Sequence, residues 1–113
     1  MRAVHLTSGS ILAKDVSVAT NFFDRACGLL GRRCLPAGQG LYIPQCSSIH
    51  MFFMRFPIDV MFMDKHNCIT GLRFKLAPFR LAWGPKKTAG VLELPAGTLK
   101  GHEYREGDKI EFI

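Results

Sequence analysis

The longest apolar tract of the sequence, Ile49 to Met63, carries Pro57 near its middle, with Arg55 and Asp59 on either side. A proline inside a paired strand forfeits a ladder hydrogen bond, and inside a helix it also clashes with the preceding turn. The tract therefore makes two short elements, not one long one. In the second, Ile58, Val60 and Phe62 alternate with Asp59, Met61 and Met63, the period of a strand with two distinct faces. No uninterrupted apolar run approaches the roughly 20 residues that a membrane-spanning helix needs.

Similar punctuation divides the rest of the chain. Val4 and Leu6, then Ile11, Ala13, Val16 and Val18, flank the turn-forming Thr7-Ser8-Gly9-Ser10 and predict two short strands in the first 19 residues. Leu41-Tyr42-Ile43 stops at Pro44, and Asp64-Lys65-His66-Asn67 reads as a turn. Cys68-Ile69-Thr70 opens a strand that continues through Leu72, Phe74 and Leu76, with Arg73 and Lys75 on the opposite side, until Pro78 ends it. Phe79 to Lys87 reads as an extended loop or irregular strand. Val91-Leu92-Glu93-Leu94 ends at Pro95-Ala96-Gly97, Thr98 is expected to cap a single helical turn, and Lys109 to Ile113 is the last strand.

The clearest helical signal follows Thr20, an N-cap residue type. Phe22, Phe23, Ala26, Cys27, Leu29 and Leu30 recur at three- and four-residue spacings before Gly31, predicting a helix over about 21–30. Seven or eight short strands, one short helix and no alternation of strands with helices predict a mainly β fold, a small jelly-roll-like barrel or sandwich. A length of 113 residues suits one domain over 1–113.

Charge is unevenly placed. The chain has 15 Lys and Arg against 9 Asp and Glu, a net charge of +6. Lys65, Arg73, Lys75, Arg80, Lys86 and Lys87 fall between Lys65 and Leu92 with no acid among them, so this segment holds the whole excess. Phe74, Phe79 and Trp83 are interleaved there, and stacking combined with charge is how single-stranded nucleic acid is held. Arg73, Lys75, Arg80, Lys86 and Lys87 are thus candidate polyanion-binding residues. A half-buried strand gives the same Arg-Phe-Lys alternation, so the sequence ranks nucleic acid below a small polar ligand or a protein partner.

Cys27, Cys34, Cys46 and Cys68 include no Cys-x-x-Cys pair. With a start, Met1-Arg2-Ala3-Val4-His5-Leu6, that does not read as a signal peptide, the expectation is a cytoplasmic protein with reduced thiols. Cys46 and His50 stand four apart, but a structural zinc needs four ligands and no second pair has comparable spacing, so no metal or cofactor is expected.

The charges embedded in apolar sequence are the informative ones, because a charge taken from water must find a partner or a function. Arg25, Arg55 and Asp59 fit best. Asp59 is expected to be partly buried and to be satisfied by an arginine fork, from Arg25 or from Arg55. Such a pair either pins helix against sheet or lines a cleft for a polar ligand. His50, opening the run His50-Met51-Phe52-Phe53-Met54, is a candidate acid or base that could share proton transfer with Asp59. No phosphate loop, dinucleotide turn, nucleophile elbow or His-Glu-x-x-His motif is present. The leading expectation is a non-enzymatic binding or accessory module whose ligand contacts Arg25, Arg55, Asp59 and His50. A small enzyme using His50 and Asp59 is the alternative, and polyanion binding through 73–87 the second.

Several ordered blocks also carry a resemblance. Thr20, Arg25-Ala26-Cys27-Gly28-Leu29-Leu30-Gly31-Arg32, the run from Cys46 to Val60, Val91 to Gly97, and Gly107-Asp108 together resemble the bacterial and archaeal family called domain of unknown function 192, or uncharacterised protein family 0127. The resemblance covers roughly 11–113. It implies a small, mainly β, jelly-roll-like domain with the Arg-x-x-Gly-Leu helix packed on it, and no established activity. Arg25, Gly28, Arg55, Asp59, Glu93 and Gly97 match the family pattern. Leu30 stands where many relatives have Met, and the block from Cys46 to His50 replaces a tryptophan-centred segment, which counts against His50 as an obligatory catalyst. Many relatives look exported through leader segments that this chain lacks. Some are encoded near pilus-assembly or secretion genes, which implies at most an envelope-associated partner.

Overall fold

In the computed structural model the described residues are 1–19, 34–51 and 54–113. The helix expected over 21–30, with Arg25 and Gly28 in it, lies outside them. The described residues form ten strands: β1 (Ala3–His5), β2 (Ile11–Ala13), β3 (Asp15–Val18), β4 (Gln39–Pro44), β5 (Ser48–His50), β6 (Ile58–Met63), β7 (Ile69–Leu76), β8 (Leu81–Trp83), β9 (Gly90–Pro95) and β10 (Ile110–Phe112). The fold is mainly β, as expected. Three strands replace the two expected in the first 19 residues, and β8 forms where an extended loop or irregular strand was expected.

The strands make three open sheets. A central five-stranded sheet has the order β3-β4-β9-β6-β7, a second has the order β10-β1-β2, and β5 pairs with β8 alone. Only the β3–β4 pair is parallel; the other pairings are antiparallel. Pro57 stands between β5 and β6, as the ladder argument requires.

Strand β6 is buried along its whole length because both faces of the central sheet are covered. Ile58, Val60 and Phe62 join Leu41, Ile43, Val91, Met51, Met54 and Ala82 in one core. Met61 and Met63 join Leu92, Leu94, Ala3, Leu12, Ala13 and Ile110 in the other. Burial of each large apolar side chain stabilises by about 1.5–3 kcal/mol, so the alternation read along β6 is what fixes its register. Glu93, 5% exposed, has Leu41 and Val60 as cross-strand neighbours and so lies on the first face, whereas Asp59 lies on the second.

One irregularity interrupts the pairing of β6 with β7. Ile58 pairs with Leu76 but Val60 pairs with Arg73, so two steps along β6 are matched by three along β7. The extra residue makes a bulge at Phe74 and Lys75, and Lys75 takes the left-handed φ of +47°. Simple alternation would turn Phe74 inward with Leu72 and Leu76; the bulge leaves it 59% exposed.

The turns follow their chemistry. Asp64 Oδ1 accepts the N–H groups of His66 (2.8 Å) and Cys68 (3.0 Å), and Asn67 supplies a φ of +63°. These bonds, Cys68 first, hold the Asp64 carboxyl below its usual range. Thr98 does not cap a helical turn: its hydroxyl donates back to the Pro95 carbonyl at 2.7 Å, within consecutive turns over 96–101. Cys34, Cys46 and Cys68 are free thiols, and that of Cys46 donates to the Ser48 carbonyl; Cys27 is outside the described residues. Among the described residues no helix is long and apolar enough to cross a membrane.

Candidate functional site

Asp59 is fully buried, more deeply than its sequence neighbours suggested. Across β9 it stands opposite Leu94, while on the β7 side it faces the bulge and has no register partner. The carboxylate fills that gap. Oδ1 accepts the Lys75 N–H at 2.9 Å, and Oδ2 accepts the N–H groups of Gly97 at 3.1 Å and Leu99 at 2.9 Å. Bonds from N–H groups to an ionised oxygen are stronger than neutral ones, and three of them offset the cost of taking the charge out of water.

Among the described residues no arginine forks onto Asp59, and Arg25, one of the two expected partners, lies outside them. The hydrogen bonds of Asp59 with the described residues all come from backbone amides, and Arg55 is exposed. The physical reason is the bulge together with Gly97, whose φ of +92° is open to glycine and strained for other residues. That conformation lets the Gly97 and Leu99 amides converge on one oxygen. Asp59 thus ties β6, β7 and the turn after β9 into a single unit.

A cleft of about 360 Å³ opens beside this unit, lined by Phe74, Lys75, Leu99, Lys100 and His102 around Asp59. The exposed Phe74 and the buried Leu99 make its lining largely apolar, and Lys75, Lys100 and His102 contribute to the same lining. The one carboxylate in the lining, Asp59, already accepts three amides. The cleft consequently presents donors and cations to a ligand. Of the expected ligand set, only Asp59 lines it. Arg55 and His50 are not in its lining, Arg25 is outside the described residues, and the hydrogen bonds given for Asp59 come from the Lys75, Gly97 and Leu99 amides.

Lys100 and His102 escaped the sequence reading because a polar turn after a strand has the composition of an ordinary solvated loop. A second cluster, around His5, escaped it for another reason. His5 is 1% exposed; its Nε2 lies 2.7 Å from Asp108 Oδ2, and its Nδ1 lies 2.7 Å from Ser8 Oγ. Asp108 Oδ2 also accepts the Arg105 N–H at 3.1 Å. The His5 hydrogen bond, then the Arg105 amide, holds the Asp108 carboxyl below its usual range. Tyr104 stacks edge-on to His5 at 4.8 Å and packs beside His102 at 5.6 Å, connecting this cluster to the cleft lining. Ser8 Oγ accepts the Ser10 N–H at 3.2 Å, so the serine closes its own turn while it meets the imidazole. The cluster clamps the start of the chain to the turn before β10. Its members lie 103 positions apart, a separation no local spacing reveals.

With this geometry in place, comparison with other proteins becomes informative. The sequence pattern of the DUF192 family, described as "Uncharacterized ACR, COG1430", matches residues 3–112. A UPF0127 protein of Pyrococcus abyssi is 36% identical over 104 residues, covering 87% of this chain and 86% of that one. A UPF0127 protein of Thermococcus kodakarensis is 31% identical over 114 residues, covering 96% and 71%. Among solved structures, a Sinorhizobium meliloti protein described as a "putative transcription regulator" superposes with a TM-score of 0.80 at 24% identity, over 97% of this chain and 89% of its own. At that identity the likeness establishes a shared fold.

Proposed function

This chain belongs to the DUF192 family, an uncharacterised one, and on that premise we propose that it is a non-enzymatic binding module whose cleft takes a small anion with a flat apolar body. The observation that carries this reading is the composition of the cleft lining: Lys75, Lys100 and His102 share it with Phe74 and Leu99, and among the described residues its one carboxylate, Asp59, is occupied by amides. A carboxylate or phosphate of the ligand would meet the cations while its ring lies on Phe74. Asp59 acts indirectly in this reading, by holding the cleft walls in place. An acid-base pair of His50 and Asp59 finds less support, since the Asp59 oxygens are buried and engaged.

Phenyl phosphate and benzoate are suitable probes, followed by thermal unfolding and by calorimetric titration. Ligand at ten times its Kd stabilises by about 1.4 kcal/mol, which raises the unfolding temperature by several degrees. A Lys100→Ala, His102→Ala double variant should fold normally and lose that rise. An undiminished response in the double variant, or no response to either probe in the native chain, would refute the assignment.

A further inference from the structure

From Gly71 to Pro85 the chain makes an excursion that completes edge strand β7, leaves the central sheet after Leu76 and comes back; a Cβ added at Gly71 would lie 3.1 Å from the Pro85 ring. This excursion holds the rings of Phe74, Phe79 and Trp83, the cations Arg73, Lys75 and Arg80, and no carboxylate. The three rings are 59%, 62% and 64% exposed. Large aromatic residues in water at such levels, gathered in one stretch, mark an interaction surface more often than isolated exposed apolar residues do.

The ordinary explanation for Arg73-Phe74-Lys75 is a half-buried strand with the ring inward and the cations outward. The bulge removes it, because Arg73, Phe74 and Lys75 are all exposed. In β8 only Ala82 enters the core, at 3% exposure, while Leu81 and Trp83 face outward opposite His50 and Ser48 of β5. Phe79 sits at φ +66°, a conformation that suits glycine and strains a residue with a Cβ, and its N–H donates to the Met51 carbonyl at 2.6 Å. The chain keeps a large ring at a strained, exposed position.

We propose that this excursion binds single-stranded nucleic acid, with bases stacking on Phe79 and Trp83 and phosphates meeting Arg73 and Arg80. Charge complementarity selects the occupant first. The whole excess of the +6 net charge lies between Lys65 and Leu92, and among the described residues Arg73, Lys75, Arg80 and Lys86 are in no ion pair. Lys87 is partly answered by Asp64, whose carboxyl it helps to hold low. Interleaving selects among polyanions. Polyphosphate or an acidic peptide would use the cations and leave the rings idle. A lipid surface would favour apolar residues contiguous at a tip, without Arg80 between Phe79 and Leu81. Each nucleotide of a single strand brings one base and one phosphate, and alternating rings and cations answer both.

The chain has a single tryptophan, Trp83, so its emission reports on this surface alone. Titration of the full chain with a dT20 oligonucleotide should quench that emission saturably. The affinity should fall with salt, each neutralised phosphate contributing about 0.7 to the log–log slope. By anisotropy of labelled dT20, Phe79→Ala and Trp83→Ala should each weaken binding roughly tenfold or more. Arg80→Ala should lower the salt slope by about 0.7. Phe74 and Lys75 also line the cleft, so they are left native, and failure here leaves the small-anion reading untouched. No saturable dT20 binding at low salt would overturn the proposal. So would polyphosphate competing as well as dT20 per charge while the ring substitutions have no effect, or phosphatidylserine vesicles shifting the Trp83 emission where dT20 does not.

Discussion

Asp59 and Trp83 are both misplaced by type, a carboxylate inside the core and an indole out in water, and the regions around them respond in opposite ways. Around Asp59 the fold supplies what the residue lacks. A bulge frees one amide, a left-handed glycine aims a second, the turn beyond it brings a third, and the charge is satisfied inside the protein. Around Trp83 the rings of Phe74, Phe79 and Trp83 are 59%, 62% and 64% exposed, and Arg73, Lys75 and Arg80 form no ion pair among the described residues. The difference separates two meanings of an unusual residue. Where the fold satisfies it, the residue is scaffold; where the fold leaves it unsatisfied, the partner is to be sought outside.

The sharpest way to break this contrast is Asp59→Ala. It leaves the Leu99 amide buried and the Lys75 and Gly97 amides part-buried without their acceptor, and each donor left unsatisfied costs about 1–3 kcal/mol. We expect a loss of about 3–5 kcal/mol in urea unfolding, much of the 5–15 kcal/mol typical of a domain. Asp59→Asn, which keeps one oxygen, should fall in between. A loss below about 1 kcal/mol in the alanine variant would show that the amides find other acceptors, and Asp59 would cease to be the hub.

A smaller, pH-dependent effect belongs to Asp108. Its carboxyl is held low in the folded protein by His5 and by the Arg105 amide. A carboxyl with a depressed folded value contributes stability above its unfolded pKa of about 4 and loses it as the pH falls through the folded value. Asp108→Asn should therefore lower the unfolding temperature at pH 7 and flatten its decline on acidification. Part of the decline should survive, because Asp64 is shifted in the same direction. Superimposable acid limbs for the native and variant chains would mean that the His5 clamp adds nothing to the fold.

The sequence made the scaffold more legible than the site, for physical reasons. Period-2 burial is local, so Ile58, Val60 and Phe62 could be assigned to one face and Met61 and Met63 to the other, and the two cores agree. Asp59 stood out as a charge among apolar residues, but its partners are backbone amides, which every residue type carries, at sequence separations of 16, 38 and 40. Nothing in side-chain chemistry could name them, whereas an arginine is the partner that side-chain chemistry offers first. Phe74 was placed inward because alternation assumes an unbroken ladder, and the bulge was invisible. Lys100 and His102 gain meaning only from the cleft that the Asp59 unit builds.

The smallest expected effect is the most discriminating for the exposed side of the contrast. In Phe79→Gly a ring that is 62% exposed is removed, and the φ of +66° becomes unstrained. Relief of a left-handed conformation is worth roughly 1–2 kcal/mol, and the greater freedom of glycine in the unfolded chain takes back about 0.5–1 kcal/mol. Lost contacts of the ring draw on the remainder. Stability should thus stay within about 1 kcal/mol of the native chain, whereas a surface that stacks bases loses one of its platforms. Retained stability together with weakened dT20 binding would assign the Phe79 ring to a partner outside the fold. If Phe79→Gly instead unfolds with a clear loss of stability and unchanged dT20 binding, the ring belongs to the packing. The two regions would then differ only in degree of exposure.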